Sequence, residues 1–375
     1  MRKISLIAIL LSTLFVSFVS AQLTQLEIAA GTPEDQALQA ITAEQDPQKK
    51  VAMYEDFVQK FASNPIAVAY GNWQISQAYQ SSGDLQKALD YGDKALAAAP
   101  NNMNILVSQA TVAQKLKDDA KLADYAARGG TAYNSFGKTK PDGLSDEDWA
   151  KKVAEEKESA KGAYEFLETS GLNAIADEKD PKARMSEIEH FTAAFPNTQY
   201  QDQIAQYAMY TLGQLNDSAR LVSYGEKTLA TNPNNVAALL MMANYYVEDS
   251  KPGSVAKAVT YSQKVIDLTK SGAADDKSHR LSAGTAHSIL GYAYMKQDKT
   301  AASVPELKTA CELLKGQDDV SYAAAMYRLG YAYAKLNKVD DARTVLTEVA
   351  KMDTPLQQPS KDLLAKVNSA RAKGK

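Results

Sequence analysis

A chain of 375 residues is long enough for two or three ordinary domains or for one long array of small units, and hydrophobic residues at 45% allow a large buried core. The formal net charge of −3 is mildly acidic and argues against nucleic acid as a general partner. With one cysteine, Cys311, an internal disulfide is excluded, so stability has to come from packing.

The first 21 residues read as a secretory leader. Arg2 and Lys3 form a positive start, Ile4 to Val19 is a mostly apolar run, and Val19-Ser20-Ala21 offers small residues for cleavage before Gln22. The alternative is a retained anchor, but the run is short for a span and is broken by Ser12, Thr13 and Ser17. No Cys stands at the junction for lipid attachment, and no later segment is apolar enough to cross a membrane. The mature chain is therefore expected outside the cytoplasm, periplasmic or secreted, with no stable membrane insertion. Without Arg2 and Lys3 it carries 40 basic against 45 acidic side chains.

Beyond the leader the chain repeats itself. AITAEQDP from Ala40 matches AIADEKDP from Ala174, and Phe57 and Phe61 match Phe191 and Phe195, 134 positions on. YGDKALAAAPNN from Tyr91 matches YGEKTLATNPNN from Tyr224 at eight of twelve residues, 133 positions on. A block of roughly 130 residues is duplicated, with a one-residue gap inside it.

Each block subdivides with a period near 34 residues. In Ala69 to Asn102, Ile75 and Tyr79 lie four apart on one helix face. Ser81-Ser82-Gly83-Asp84 is a turn, and Ala88 and Ala95 sit on a second helix that Pro100 follows. The unit from Gly284 gives Leu290-Gly291, Tyr294, Ala302 and Ala310. That from Ala323 to Leu356 gives Leu329-Gly330, Tyr333, a turn at Asn337, Ala342 and Pro355. Antiparallel helices approach closely only at small residues, here Gly291, Gly330, Ala88 and Ala342, while Tyr79, Tyr294 and Tyr333 fill the gaps between hairpins. One hairpin cannot bury its own apolar face, so hairpins stack.

Two segments fit no hairpin. Asn134 to Leu144 reads as a loop, after which Ser145 caps a helix with Asp146, Glu147 and Asp148 in its first turn. Ser271 to Ser282 reads as a second polar loop. From Ser360 to Ala372, the spacing of Leu363, Leu364 and Val367 suits a closing helix.

At Leu290-Gly291-Tyr294, Leu329-Gly330-Tyr333 and Ala88-Ala95-Pro100 the chain resembles the tetratricopeptide repeat family. The resemblance implies an all-α fold, a right-handed superhelical solenoid of stacked helical hairpins. About eight units begin near 30, 69, 103, 164, 202, 236, 284 and 323. The expected organisation is a signal peptide over 1–21, a first block of about three hairpins over 22–134, and a loop and connecting helix over 135–163. A second block of about three hairpins over 164–271 follows, then a loop over 272–283, a C-terminal pair over 284–356, and a capping helix with basic tail over 357–375. The unit at 202 departs from the family with Leu221 for Ala, and the sixth carries an insertion at Asp249-Ser250-Lys251-Pro252-Gly253.

No catalytic constellation stands out, and no cofactor or metal is expected. His190, His279 and His287 have no Cys, Asp or Glu at metal-ligand spacing, and no phosphate-cradling loop or nucleophile elbow appears. His287 reads as a packing residue, and Glu155-Glu156 as a solvated helix face. By resemblance, the second, fifth, ninth, twelfth and thirteenth places of each unit face a concave groove. Those places hold Tyr70, Trp73, Gln77 and Gln80 in one unit and Gln206, Tyr210 and Gln214 in another. The last two units supply Tyr292, Met295, Lys296, Tyr327, Tyr331 and Lys335. Rigid aromatics among amides and lysines suit capture of a protein segment. The Lys/Asn clamp that some members use for a peptide carboxylate is missing, because Trp73 and Gln77 stand in its places. The leading expectation is a non-enzymatic scaffold or adaptor in the cell envelope that binds a protein partner. The alternatives are a carbohydrate-binding or hydrolytic protein on a helical-repeat scaffold and a self-assembling structural protein.

Overall fold

The computed structural model describes residues 23–270 and 277–373. The expected leader, residues 1–21, lies outside them. Among the described residues there are seventeen helices and no strand, in two compact units that divide between Gln199 and Tyr200.

The first unit holds α1 (Pro33–Ala43), α2 (Pro47–Lys60), α3 (Pro65–Ser82), α4 (Leu85–Ala98), α5 (Met103–Leu116), α6 (Asp119–Ser135), α7 (Asp146–Asp177) and α8 (Pro181–Ala194). The second holds α9 (Gln201–Gln214), α10 (Ser218–Thr231), α11 (Val236–Glu248), α12 (Ser254–Thr269), α13 (Lys277–Lys296), α14 (Thr300–Leu314), α15 (Asp319–Lys335), α16 (Val339–Val349) and α17 (Gln357–Lys373). Within each unit the helices pair as hairpins, and successive hairpins pack on one another. Leu363, Leu364 and Val367 of α17 pack against the core of the α15–α16 hairpin and close the stack. No helix of the described residues is long and apolar enough to cross a membrane.

Helix starts follow from local chemistry. Thr32, Asp46, Asn64 and Asp180 are extended, accept hydrogen bonds from amides of the first turn, and precede a proline that loses no helical bond there. The turns inside five of the hairpins, α3–α4, α5–α6, α9–α10, α13–α14 and α15–α16, share a signature. Gly83, Lys117, Asn216, Asp298 and Asn337 are left-handed, with φ of 83°, 58°, 55°, 58° and 60°. The next amide reaches back across the helix end, as from Asp84 to the Tyr79 carbonyl at 3.0 Å and from Lys338 to that of Tyr333 at 2.9 Å.

Small residues mark the close contacts. A Cβ at Gly330 would lie 2.6 Å from Leu346, and one at Gly291 would lie 2.6 Å from Leu307, so each glycine seats the second helix of its own hairpin. Ala88 and Ala342 are fully buried. The duplicated Tyr-Gly pair does a different job, since Gly92 of α4 and Gly225 of α10 each receive a side chain from the next hairpin. Gln109 of α5 fills the first socket and Met242 of α11, 133 positions later, fills the second. Gln109 is buried, donates to the Leu89 carbonyl at 2.8 Å and accepts from Ser76 Oγ at 3.3 Å, while that hydroxyl also donates to the Ala88 carbonyl at 2.6 Å.

Two boundaries differ from expectation. Helix α7 runs unbroken for 32 residues, through the expected break between 163 and 164, and its hairpin with α8 belongs to the first unit. Helix α13 starts at Lys277, so positions 277–283 of the expected loop are helical, while 271–276 lie outside the described residues. Alanine- and serine-rich sequence with scattered charge carries little turn signal, and Ala283 and Gly284 on that stretch are buried.

Two ionisable groups are shaped by burial. The thiol of Cys311 on α14 is half-buried and pushed up to about 12 by desolvation, with Glu348 and Glu312 adding to the shift. The Glu187 carboxyl on α8 is pushed up to about 7 by burial and by Glu178 and Asp119, against a weaker opposing effect of Arg184. One of its oxygens is buried with no hydrogen-bond partner. The folded state thus binds this proton more tightly than the unfolded state. The resulting penalty is absent below the ordinary carboxylate range, grows as pH rises toward about 7, and is complete above it. Glu187→Gln is expected to stabilise the first unit at pH 8 by about 1 kcal/mol, a figure discounted for solvent screening of a half-exposed group. Thermal melts at pH 4 and pH 8 check this, and an equal shift at both would rule out the ionisation.

Candidate functional site

The first helices of the second unit, α9, α11, α13 and α15, lie side by side in chain order. Their shared face is the candidate binding surface. The ninth repeat place contributes one residue per helix, in a column of Tyr210, Asn244, Tyr292 and Tyr331. Tyr210 is 54% exposed and Tyr331 is 41% exposed. Singly exposed rings are ordinary, but these two recur at the same repeat place on one face, which makes that face the candidate surface.

At the α9 end a pocket of about 900 Å³ opens between α9, α10, α11 and α13. Met209, Leu221, Leu240 and Ile289 give it apolar walls, and Tyr210, Asn244, Tyr245 and Glu248 line its polar side. Gln214 Nε2 donates to the Tyr210 hydroxyl at 3.2 Å, which fixes the ring's direction. Glu248 also accepts from Lys296 Nζ at 2.9 Å, tying α11 to α13.

Next to this pair Tyr292 is held between two cations, with Lys296 Nζ 5.0 Å and the Arg328 guanidinium 4.8 Å from its ring centre. Arg328 donates to Ser288 Oγ at 2.9 Å. Burial pulls its guanidinium below the usual range, and the charge of Glu248 and the Tyr292 hydroxyl oppose that shift. Burial also raises the Tyr327 hydroxyl, with Tyr331, Tyr292 and Asp362 as further contributors.

The expected site residues divide into distinct groups. Tyr210, Gln214, Tyr292, Lys296 and Tyr331 lie on this face, and Gln206 is exposed on the same helix as Tyr210. Lys335 reaches Asp298 at a loose 3.9 Å. Tyr292 and Tyr327 are half-buried and pack against the core of the last hairpins, so they are part wall and part surface. Met295 does not face a groove. It is 4% exposed and lies in the core with Leu307, Leu329 and Tyr333. The twelfth repeat place turns toward the neighbouring helices, as buried Val247 shows at the same place in α11.

In the first unit, Tyr70, Trp73, Gln77 and Gln80 are all half-buried. Tyr70 packs beside Tyr54, with ring centres 6.5 Å apart, and Trp73 Nε1 is buried with no hydrogen-bond partner. Gln80 Nε2 donates to Ser108 Oγ at 2.7 Å and so joins α3 to α5.

Asn244, Glu248 and Arg328 were absent from the expected set. Asn244 and Glu248 occupy the ninth and thirteenth places of the unit from 236, so the same repeat rule reaches them. Arg328 stands at a sixth place that holds Met241 and Ile289 in the two preceding units. A charge in that apolar column was its signal. His287 Nδ1 lies 2.7 Å from Glu306 and clips α13 to α14. Among the described residues no group of three or more His, Cys, Asp or Glu is placed to hold a metal ion.

The family model described as "Tetratricopeptide repeat" matches residues 69–102 and 323–354. These are the α3–α4 and α15–α16 hairpins. At these two hairpins the chain matches the tetratricopeptide repeat. Among solved structures, a thermophilic tetratricopeptide protein of Thermus thermophilus, TTC0263, is 14% identical with a TM-score of 0.41, over 53% of this chain and 98% of that one. The tetratricopeptide domain of P58(IPK) is 11% identical with a TM-score of 0.30, over 92% of this chain and 99% of that one. The Cut9-Hcn1 hetero-tetramer of APC/C gives 11% identity and a TM-score of 0.29, over 91% of each chain. No curated protein matches the sequence. The face described above is where this chain's second unit presents Tyr210 and Tyr331 to solvent.

Proposed function

We propose that the chain is a non-catalytic scaffold of the cell envelope that holds a segment of another protein along the first-helix face of its second unit. One observation carries the proposal. Of the three large hydrophobic side chains exposed among the described residues, Tyr210, Val320 and Tyr331, two occupy the ninth place of their repeats on that face. The pocket beside Tyr210 takes an apolar anchor, and Tyr292 with Lys296 and Arg328 suits acidic or aromatic groups further along. Export is part of the proposal, supported by the basic start, the apolar run and the Ala21 junction, with the mature chain beginning at Gln22.

The test places a photo-crosslinking residue singly at 210, 331 or 320 in the producing cell. Adducts with one partner are expected from 210 and 331. Val320 is 54% exposed, as Tyr210 is, so equal adducts from position 320 would refute a dedicated face. N-terminal sequencing of the protein recovered outside the cytoplasm checks export, and an intact Met1 in cytosolic protein would contradict it.

A further inference from the structure

Ahead of α1, residues 23–29 carry no regular structure, yet their beginning is firmly placed. Leu23 is 1% exposed and Thr24 is buried as well. The Leu23 amide donates to Glu156 Oε2 on α7 at 3.0 Å. The Leu23 carbonyl accepts from the amide of Met103, the first residue of α5, at 2.7 Å. The Thr24 carbonyl accepts from Asn104 Nδ2 at 2.7 Å. Further along, Ile28 packs against the core of α1, α2 and α3. The segment therefore runs from α3 to α5 to α7 across the first-helix side of the first unit. Asn104 stands at the second place of its repeat, a groove place.

We propose that the α5 start, Asn104 and Glu156 form a peptide-binding site, occupied here by the chain's own residues 23–28 acting as a displaceable strap. Three features support this. The contacts are those of a bound extended peptide, with main-chain groups read by hydrogen bonds and one aliphatic side chain buried. The α5 amide at Met103 is a helix-end donor with no partner inside its helix, and Leu23 satisfies it. The holding contacts are three hydrogen bonds, buried Leu23 and Thr24 and half-buried Ile28, a contact set short enough for another segment to match against the conformational freedom lost by six residues. The strap joins α1 through Ala29 to Thr32, a turn in which Gly31 takes a φ of 79° and its amide donates to Asp35 at 2.8 Å. The first unit would thus keep one end of its groove covered by its own chain while the second unit's face stays open. The regulatory consequence rests on the scaffold proposal, whereas the binding site under the strap does not.

The experiment uses a fluorescent peptide spanning residues 23–30 and the full chain carrying Leu23→Asp, which puts a charge on a fully buried side chain. In the unaltered chain the tethered strap competes at high effective concentration, so the labelled peptide is expected to bind it at least tenfold more weakly than it binds Leu23→Asp. A peptide with the same Leu-to-Asp change is expected to bind neither, and Glu156→Gln introduced beside Leu23→Asp is expected to weaken the labelled peptide's binding. Circular dichroism and a thermal melt confirm that each variant remains folded. If Leu23→Asp fails to fold, the unaltered chain is nicked at a protease site inserted between Ala29 and Thr32, and exchange of the cleaved strap for labelled peptide is measured. Absence of binding to folded Leu23→Asp, or absence of exchange in the nicked chain, overturns the proposal. The crosslinking result at 210 and 331 is independent of both outcomes.

Discussion

Tyr333→Ala is expected to destabilise the last hairpins by about 3–5 kcal/mol, whereas Tyr331→Ala leaves the melt within about 0.5 kcal/mol of the unaltered chain. The two residues are two positions apart on α15, and the helix turns them to opposite environments. Tyr333 is buried among Met295, Leu307, Leu329 and Leu346, so its loss leaves a cavity that close-packed neighbours fill only in part. Tyr331 is 41% exposed and belongs to the ninth-place column. Its loss is expected to weaken partner retention by about 1–2 kcal/mol, roughly five- to thirtyfold. Melting both variants and measuring retention of the partner crosslinked at position 331 checks the pair. Equal destabilisation by both would make the aromatic strip core rather than surface.

The duplicated glycines respond differently to the same change. Gly92→Ala is expected to destabilise by about 2–4 kcal/mol, and Gly225→Ala by less than about 1 kcal/mol. At both, alanine improves helix propensity by up to about 1 kcal/mol, and that gain offsets part of any clash. At Gly92 the new Cβ would sit 1.9 Å from the Gln109 side-chain oxygen. Gln109 is held by its bonds to Leu89 and Ser76, so moving it breaks buried hydrogen bonds with no water to replace them. At Gly225 the nearest atoms are the Met242 sulfur at 2.1 Å and its Cγ at 2.8 Å, on an unbranched thioether side chain that has no hydrogen bond to lose. Denaturant melts of the two variants decide the matter, and similar losses would show that the Gln109 bonds add nothing to the stiffness of the socket.

The repeat made most of the fold legible in the sequence. A period near 34, small residues at helix crossings and asparagine, aspartate or glycine at the hairpin turns recur often enough to mark most of the hairpins. The same register assigns Tyr210, Tyr292 and Tyr331 to the ninth place and Gln214 and Lys296 to the thirteenth. Met295 failed because a helix face is a gradient. The twelfth place lies on its edge, and in α13 that edge is pressed against the next hairpin. Arg328 escaped because its place is apolar elsewhere, and the cation is accommodated only by Tyr292 and Ser288 from another helix. Nothing periodic marks residues 23–28, since an extended segment held by main-chain bonds to distant helices writes no pattern into its own side chains. The start of α13 was obscured by alanine and serine, which end no helix by themselves.

Cys311 gives the chain a native reporter. It is the sole cysteine, and its thiol is held near 12 between α14 and the α15–α16 hairpin. At neutral pH almost none of it is thiolate, so alkylating reagents meet an unreactive group while these helices remain closed. Opening of the hairpin exposes an ordinary thiol to solvent. The rate of labelling therefore counts openings of the C-terminal repeats, one chemical event per exposed molecule, with no engineered probe in the chain.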